Sequence, residues 1–148
     1  MRYLALILGI FGLEYKLKNK IEESLAEGGA TPVLKRTLLV RKYHNTGAFL
    51  DAGHNKPGAV LILSVLLTAI LTVIFVLSFG MAGKKMLKWG LSFLLGGAYS
   101  NTYDRLVRKY VVDYVSFNVP VRSIRRIVFN IADFCIMLGA LLCVCSAA

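Results

Sequence analysis

Apolar and charged positions fall into long separate blocks along the chain. Tyr3 to Leu13 carries no charge and leads into a segment with Glu14, Lys16, Lys18, Lys20, Glu22 and Glu23. Gly58 to Phe79 is free of charge for 22 residues, which is enough for a helix to cross a bilayer. A short basic turn follows, with Lys84, Lys85 and Lys88, and then Trp89 to Tyr103 is again uncharged. Ile127 to Ala148 is apolar except for Asp133. These blocks predict four helices, at about 3–26, 58–79, 86–105 and 125–146, within a single domain spanning residues 1–148. The first apolar run alone is too short to span, so its helix is expected to continue past Glu14, with long basic side chains reaching the interface. A cleaved leader is disfavoured, because the charged stretch separates the apolar run from Ser24-Leu25-Ala26.

Between the first two helices the pattern changes. Glu27-Gly28-Gly29 ends helical character, and Thr37 to Tyr43 is rich in β-branched and apolar residues. His44-Asn45-Thr46-Gly47 and His54-Asn55-Lys56-Pro57-Gly58 are turn signals. Residues 27–57 therefore read as an extramembrane element with β content, and His44 and His54 as solvated loop residues. Residues 111–117 read as a further strand, and Asn118 to Ser123 as a loop. The fold class is a mainly α membrane protein with four transmembrane helices and a small β-containing element.

Composition sharpens this picture. The chain is 57% hydrophobic, above the roughly 45–50% of soluble domains, which disfavours a soluble globule. The net charge of +10 comes from basic residues placed between apolar runs, a pattern that fits anionic phospholipids and excludes a nucleic-acid patch. Cys135, Cys143 and Cys145 all lie in the last apolar run at no metal-binding spacing, and read as packing or lipid-facing residues. Four spans put both termini on one side. The turn at 80–88 together with Arg2 holds four of the eighteen basic residues, so charge counting places the larger loops in the cytoplasm.

The chemistry concentrates between Gly96 and Ile136, where three of the eight acidic residues lie. Asp133 sits within an apolar run, and an ionisable group there is a functional-site candidate by default. Helices three and four packed side by side would bring Asp113 and Asp133 to the same face. Two carboxylates in a poorly solvated site cannot both ionise cheaply, so one keeps its proton. An aspartic protease needs that arrangement. Asn101, Asp104, Arg105 and Asn130 are candidates to hold a substrate backbone. The alternative for Asp104 is a network with Arg105, Arg108, Lys109, Arg125 and Arg126. Glu14 either pairs with Lys18 at i, i+4 or turns toward the polar site.

Three motifs here resemble signal peptidase II, the bacterial lipoprotein signal peptidase family: Asn-x-x-Asp-Arg at Asn101 to Arg105, Val-Val-Asp-aromatic at Val111 to Tyr114, and Phe-Asn-x-Ala-Asp at Phe129 to Asp133. The resemblance implies a four-helix intramembrane aspartic endopeptidase. Such an enzyme cuts the signal peptide of a prolipoprotein before its diacylglyceryl-modified cysteine. It assigns the catalytic pair to Asp113 and Asp133 and the supporting polar residues to Asn45, Asn101, Asp104, Arg105 and Asn130, with Glu14 and Lys18 as further support. It implies no cofactor and no metal, and a monomer is expected. It also implies the bacterial cell membrane, with the β element as a substrate cradle and the dyad at the outer face, against the charge count. The sequence departs from the family at Glu14, where an aspartate is usual, at Ser100, where glycine is common, and at Asn45 to Phe49, which is one residue shorter. A proton-coupled four-helix multidrug transporter using Glu14 is the competing reading, and a non-catalytic scaffold a third. Neither gives Asp113 and Asp133 a task.

Overall fold

The structure is a computed structural model, and it describes residues 1–26, 28–48 and 53–146. Its elements in chain order are α1 (Arg2–Ser24), β1 (Ala30–Val33), β2 (Leu38–Asn45), α2 (Pro57–Ser78), α3 (Lys85–Val107), β3 (Val111–Phe117), α4 (Arg122–Arg126) and α5 (Ile131–Cys145). The chain is mainly helical with one small antiparallel sheet, ordered β1-β2-β3. The expected strand at 37–43 is β2, extended to Asn45. The expected strand at 111–117 is β3.

α3 is the central helix. α1, α2 and α5 all pack on it. Small residues allow the closest of these approaches. A Cβ at Gly97 would run into the Ala132 carbonyl and lie 2.8 Å from Ile136 Cγ1. A Cβ at Gly139 would lie 2.6 Å from both the Gly90 carbonyl and the Leu94 nitrogen. Backbone-to-backbone contact of this kind is how helices associate where water supplies no driving force. Cys143 sits against Gly90, in keeping with a packing role.

Apolar side chains face outward over much of the surface. Leu8 is 69% exposed and Leu77 67%, with Ile62, Leu66, Ile70 and Val73 all exposed along α2. Among the described residues one helix, Pro57–Ser78, is long and apolar enough to cross a membrane by length and composition, and Ile131–Cys145 is a shorter apolar helix.

The bundle has two unlike ends. At one, Tyr3 stacks edge-on against Phe79 and Trp89, Arg2 lies over the Trp89 ring, and Lys84 donates to the Ser146 carbonyl. The two ends of the described chain therefore meet beside the 79–88 turn. The sheet and most of the buried polar groups occupy the other end.

The last helix differs from the expected 125–146. It divides into the short α4 and an α5 that begins at Ile131. Residues between them are drawn into the sheet: Phe129 exchanges N–H···O bonds of 2.7 Å with Val115, and its carbonyl also accepts from Tyr114 N at 2.8 Å. That pairing delays the helix and puts Asp133 in the first turn of α5, where a helix starting at 125 would put it about two turns in. His44 is also corrected. It ends within β2, stacks on Tyr110 at 3.9 Å between centroids, and meets Glu22 at 2.8 Å. His54 is exposed as expected.

The close α3–α5 approach yields a test. Gly97→Ala is expected to cost about 1–3 kcal/mol by overpacking, read as a fall in the thermal unfolding midpoint in detergent. Gly9→Ala, where no atom lies within 4 Å of the added Cβ, leaves the midpoint unchanged or raises it.

Candidate active site

Asp113 and Asp133 come together from different elements. Asp113 lies mid-way along β3, whose first four residues are all buried. Asp133 is the third residue of α5 and closes a capping box with Asn130: Asp133 N donates to Asn130 Oδ1 at 2.9 Å, and Asn130 N donates to Asp133 Oδ2 at 3.0 Å. This explains locally why a carboxylate is tolerated at the start of an apolar helix. It satisfies an orphan backbone donor and sits at the positive end of the helix dipole.

Asparagine side chains join the two acids. Asn130 Nδ2 donates to Asp113 Oδ1 at 2.7 Å, so the same residue touches both carboxylates. Asn45 Nδ2 donates to Asp113 Oδ2 at 2.9 Å, and Asn101 Nδ2 donates to Asp133 Oδ1 at 2.9 Å. Each of the four carboxylate oxygens thus receives one N–H. Asn45, Asn101, Arg105, Asp113 and Asp133 line a cavity of about 290 Å³ between α2, α3 and α5, walled otherwise by residues such as Leu67, Leu71, Val128 and Ile136. Burial, then the nearby Asp133 charge, pushes the Asp113 carboxyl up to about 7, against the opposing pull of Asn45, Asn130 and Lys18.

Behind the cavity lies a buried charge network centred on Lys18, whose side chain is 1% exposed. Its ammonium lies 2.9 Å from Asp104 Oδ2 and 3.3 Å from Glu14 Oε2, and donates at 3.0 Å to both Ser100 Oγ and Asn101 Oδ1. Asn101 also accepts from Asn130 Nδ2 at 3.2 Å. Lys18 therefore fixes the orientation of the amide that touches Asp133. Asp104 serves this network and does not line the cavity. Its oxygens are taken by Lys18, by Arg108 Nε at 3.0 Å and by the Val112 amide at 3.2 Å, so it ties α1 and β3 to α3. Asn130 likewise lies outside the cavity lining and acts on the two acids themselves. Glu14 both pairs with Lys18 and turns inward.

Arg105 hydrogen-bonds outside the network offered above as the alternative for Asp104. Its Nη2 donates to the Gly47 carbonyl at 2.7 Å and its Nη1 to the Asn101 carbonyl at 3.3 Å. It holds the segment after β2 over the site, where Asn45 Oδ1 accepts from Gly47 N at 2.9 Å. Phe49, the end of the Asn45 to Phe49 motif, lies outside the described residues. Three participants escaped the sequence reading: the Tyr114 hydroxyl, Ser100 as a Lys18 partner, and Asn19, which accepts from Arg108. Only the i, i+4 spacing of Glu14 and Lys18 hinted at this second network.

Removing Lys18 tests the dependence of the site on it. Lys18→Met leaves Glu14 and Asp104 buried without their shared cation and is expected to cost about 3–5 kcal/mol. The exposed Lys16→Met stays within about 0.5 kcal/mol. Denaturant unfolding in detergent compares them.

Comparison with known proteins agrees with this architecture. The family model described as signal peptidase (SPase) II matches residues 6–148. A protein from Mesorhizobium japonicum named lipoprotein signal peptidase is 31% identical over 146 residues, which is 96% of this chain and 82% of the relative. Two solved structures, described as a bacterial membrane enzyme determined by the in meso method at 2.3 Å and 1.9 Å resolution, superpose with TM-scores of 0.84 and 0.80. Each is 21% identical and spans 99% of this chain, with 87% and 92% of the respective relatives covered. The chain belongs to the signal peptidase II family and is a peptidase.

Proposed function

We propose that this peptidase is an aspartic endopeptidase that removes the signal peptide of a diacylglyceryl-modified prolipoprotein, cutting before the lipidated cysteine. The observation that carries the chemistry is the pair Asp113 and Asp133 in one cavity, each hydrogen-bonded to Asn130. Asp113 holds the shared proton, because it is 2% exposed and Asp133 is the less buried of the two. Asp133 takes a proton from water, and the water oxygen attacks the peptide carbonyl carbon while Asp113 protonates the carbonyl oxygen. As the C–N bond breaks, the proton on Asp133 passes to the leaving nitrogen and one hydroxyl of the diol returns its proton to Asp113. Arg105 lines the same cavity, and its Nε has no hydrogen-bond partner among the described residues. It holds the substrate backbone together with Asn45 and Asn101. The chemistry calls on no metal or cofactor, and the protein works as a monomer.

The four long helices span the bacterial cell membrane, and the single unit comprises residues 1–148. The outward apolar side chains of α1, α2 and α5 support this. The end carrying the sheet and the dyad faces outward, where exported lipoproteins are processed, and Arg2, Lys84 and Lys88 mark the cytoplasmic end. Basic residues on both ends contact anionic phospholipid headgroups. The transporter reading has no support from Glu14, which is 0% exposed and committed to Lys18 and Tyr114.

Cleavage of a lipid-modified prolipoprotein by the purified protein tests the proposal. Asp113→Asn and Asp133→Asn are each expected to lower kcat by at least about a thousandfold, since each removes one half of the proton traffic. Because activity requires the protonated Asp113, the rate falls as pH rises through about 7. A rate still rising well above that pH, or full activity in either variant, contradicts the assignment.

A further inference from the structure

The spacing of the two aspartates depends on how the first turn of α5 sits against β3. Tyr114 follows Asp113 directly in β3, so its ring leaves the opposite face of the strand, and it is 4% exposed. Its hydroxyl lies at a junction of three elements. It donates to Glu14 Oε1 on α1, and it accepts from the backbone N–H of Ile131 at 3.3 Å. Ile131 is the first residue of α5, and its N–H has no partner within the helix. Burial, then the Glu14 charge, holds the phenol well above its usual range, so it remains a donor to Glu14.

The geometry has a consequence for the reaction. Asp133 stands two residues after Ile131 on the same turn, while Asp113 stands one residue before Tyr114. Asn130, which touches both acids, is the residue immediately before Ile131. A single hydroxyl therefore ties the strand of one acid to the helix turn of the other, and Glu14 orients that hydroxyl. Glu14 Oε2 in turn faces Lys18, which sets Asn101 against Asp133. Both routes to Asp133, one through Tyr114 and one through Asn101, begin on this part of α1.

We infer that Tyr114, oriented by Glu14, is a positioning residue that fixes the separation of Asp113 and Asp133. This rests on the peptidase reading given above. The side-chain length of Glu14 belongs to the device: an aspartate there is one methylene shorter, which draws its carboxylate back from the Tyr114 hydroxyl.

The test is a four-protein set: wild type, Tyr114→Phe, Glu14→Asp, and the double variant. Tyr114→Phe is expected to lower kcat ten- to a hundredfold, on the order of what a small misplacement of reacting groups costs, with KM within about twofold. Its alkaline limb moves by about half a pH unit, as the mutual influence of the two acids changes with their separation. Glu14→Asp gives a similar loss, and the double variant falls no further than the worse single one, because both substitutions break one linkage. A Tyr114→Phe protein with a lower unfolding midpoint but wild-type kcat and pH profile overturns the positioning role, as does a double variant whose losses multiply. A wild type that does not cut a lipid-modified prolipoprotein contradicts the peptidase reading instead. The positioning claim is then decided by the carboxyl titration of Asp113, which must move in Tyr114→Phe.

Discussion

The buried ammonium of Lys18 is the constraint around which the site is built. A cation taken out of water is costly unless several polar groups replace its hydration. Here two carboxylates, one hydroxyl and one amide oxygen do so, drawn from α1 and α3. Satisfying Lys18 fixes α1 on α3, because Glu14 is its only partner on its own helix. It also sets the Asn101 amide with its oxygen toward the cation, which leaves Nδ2 for Asp133. Asp104 carries the constraint onward to Arg108 and to the amide of Val112, and so to the strand bearing Asp113. The two acids are thus placed by a charge network that does not itself face the cavity.

The rest of the fold separates two tasks. One end of the bundle is closed by aromatic packing of Tyr3, Phe79 and Trp89 beside a basic turn. The other end carries the sheet, whose third strand is buried on both faces, and the helix start of α5. The α3–α5 contact through Gly97 and Gly139 joins the ends, and it brings the Asn101 turn of α3 to the Asp133 turn of α5. α2 packs on α3 and forms one wall of the cavity that holds the two acids, through Ser64, Leu67, Thr68 and Leu71. Its contact is polar in part, with Thr68 and Thr102 hydroxyls at 2.9 Å and the Thr72 and Tyr99 hydroxyls at 2.7 Å.

Much of this was legible in the sequence where the signal is local. The charge-free run at 58–79 marks α2, and the β-branched residues at 111–117 mark β3. The three motifs between Asn101 and Asp133 single out the acids that the fold brings into one cavity. What escaped is tertiary. α5 starts at Ile131, not near 125, because Phe129 pairs with Val115, and no periodicity within 124–136 reveals a partner on another strand. Asp104 and Arg105 are neighbours in sequence but point to different partners, one to Lys18 and Arg108, the other to Gly47. His44 looked like a turn residue, yet Tyr110 and Glu22 hold it at the end of β2. Glu14 and Tyr114 are a hundred positions apart, and only the fold shows that the longer acid, unusual for the family, meets a hydroxyl.

In the proposed mechanism Asp113 and Asp133 act as one coupled pair. Its most direct test is the pH titration of their carboxyl ¹³C shifts in the protein held in detergent micelles, assigned with Asp113→Asn and Asp133→Asn. A coupled pair gives two separate steps in the wild type, one of them near 7 and seen at Asp113, and a downward move of that step when Asp133 is neutralised. Two independent carboxyls that both titrate near 4, unaffected by each other's removal, would contradict it.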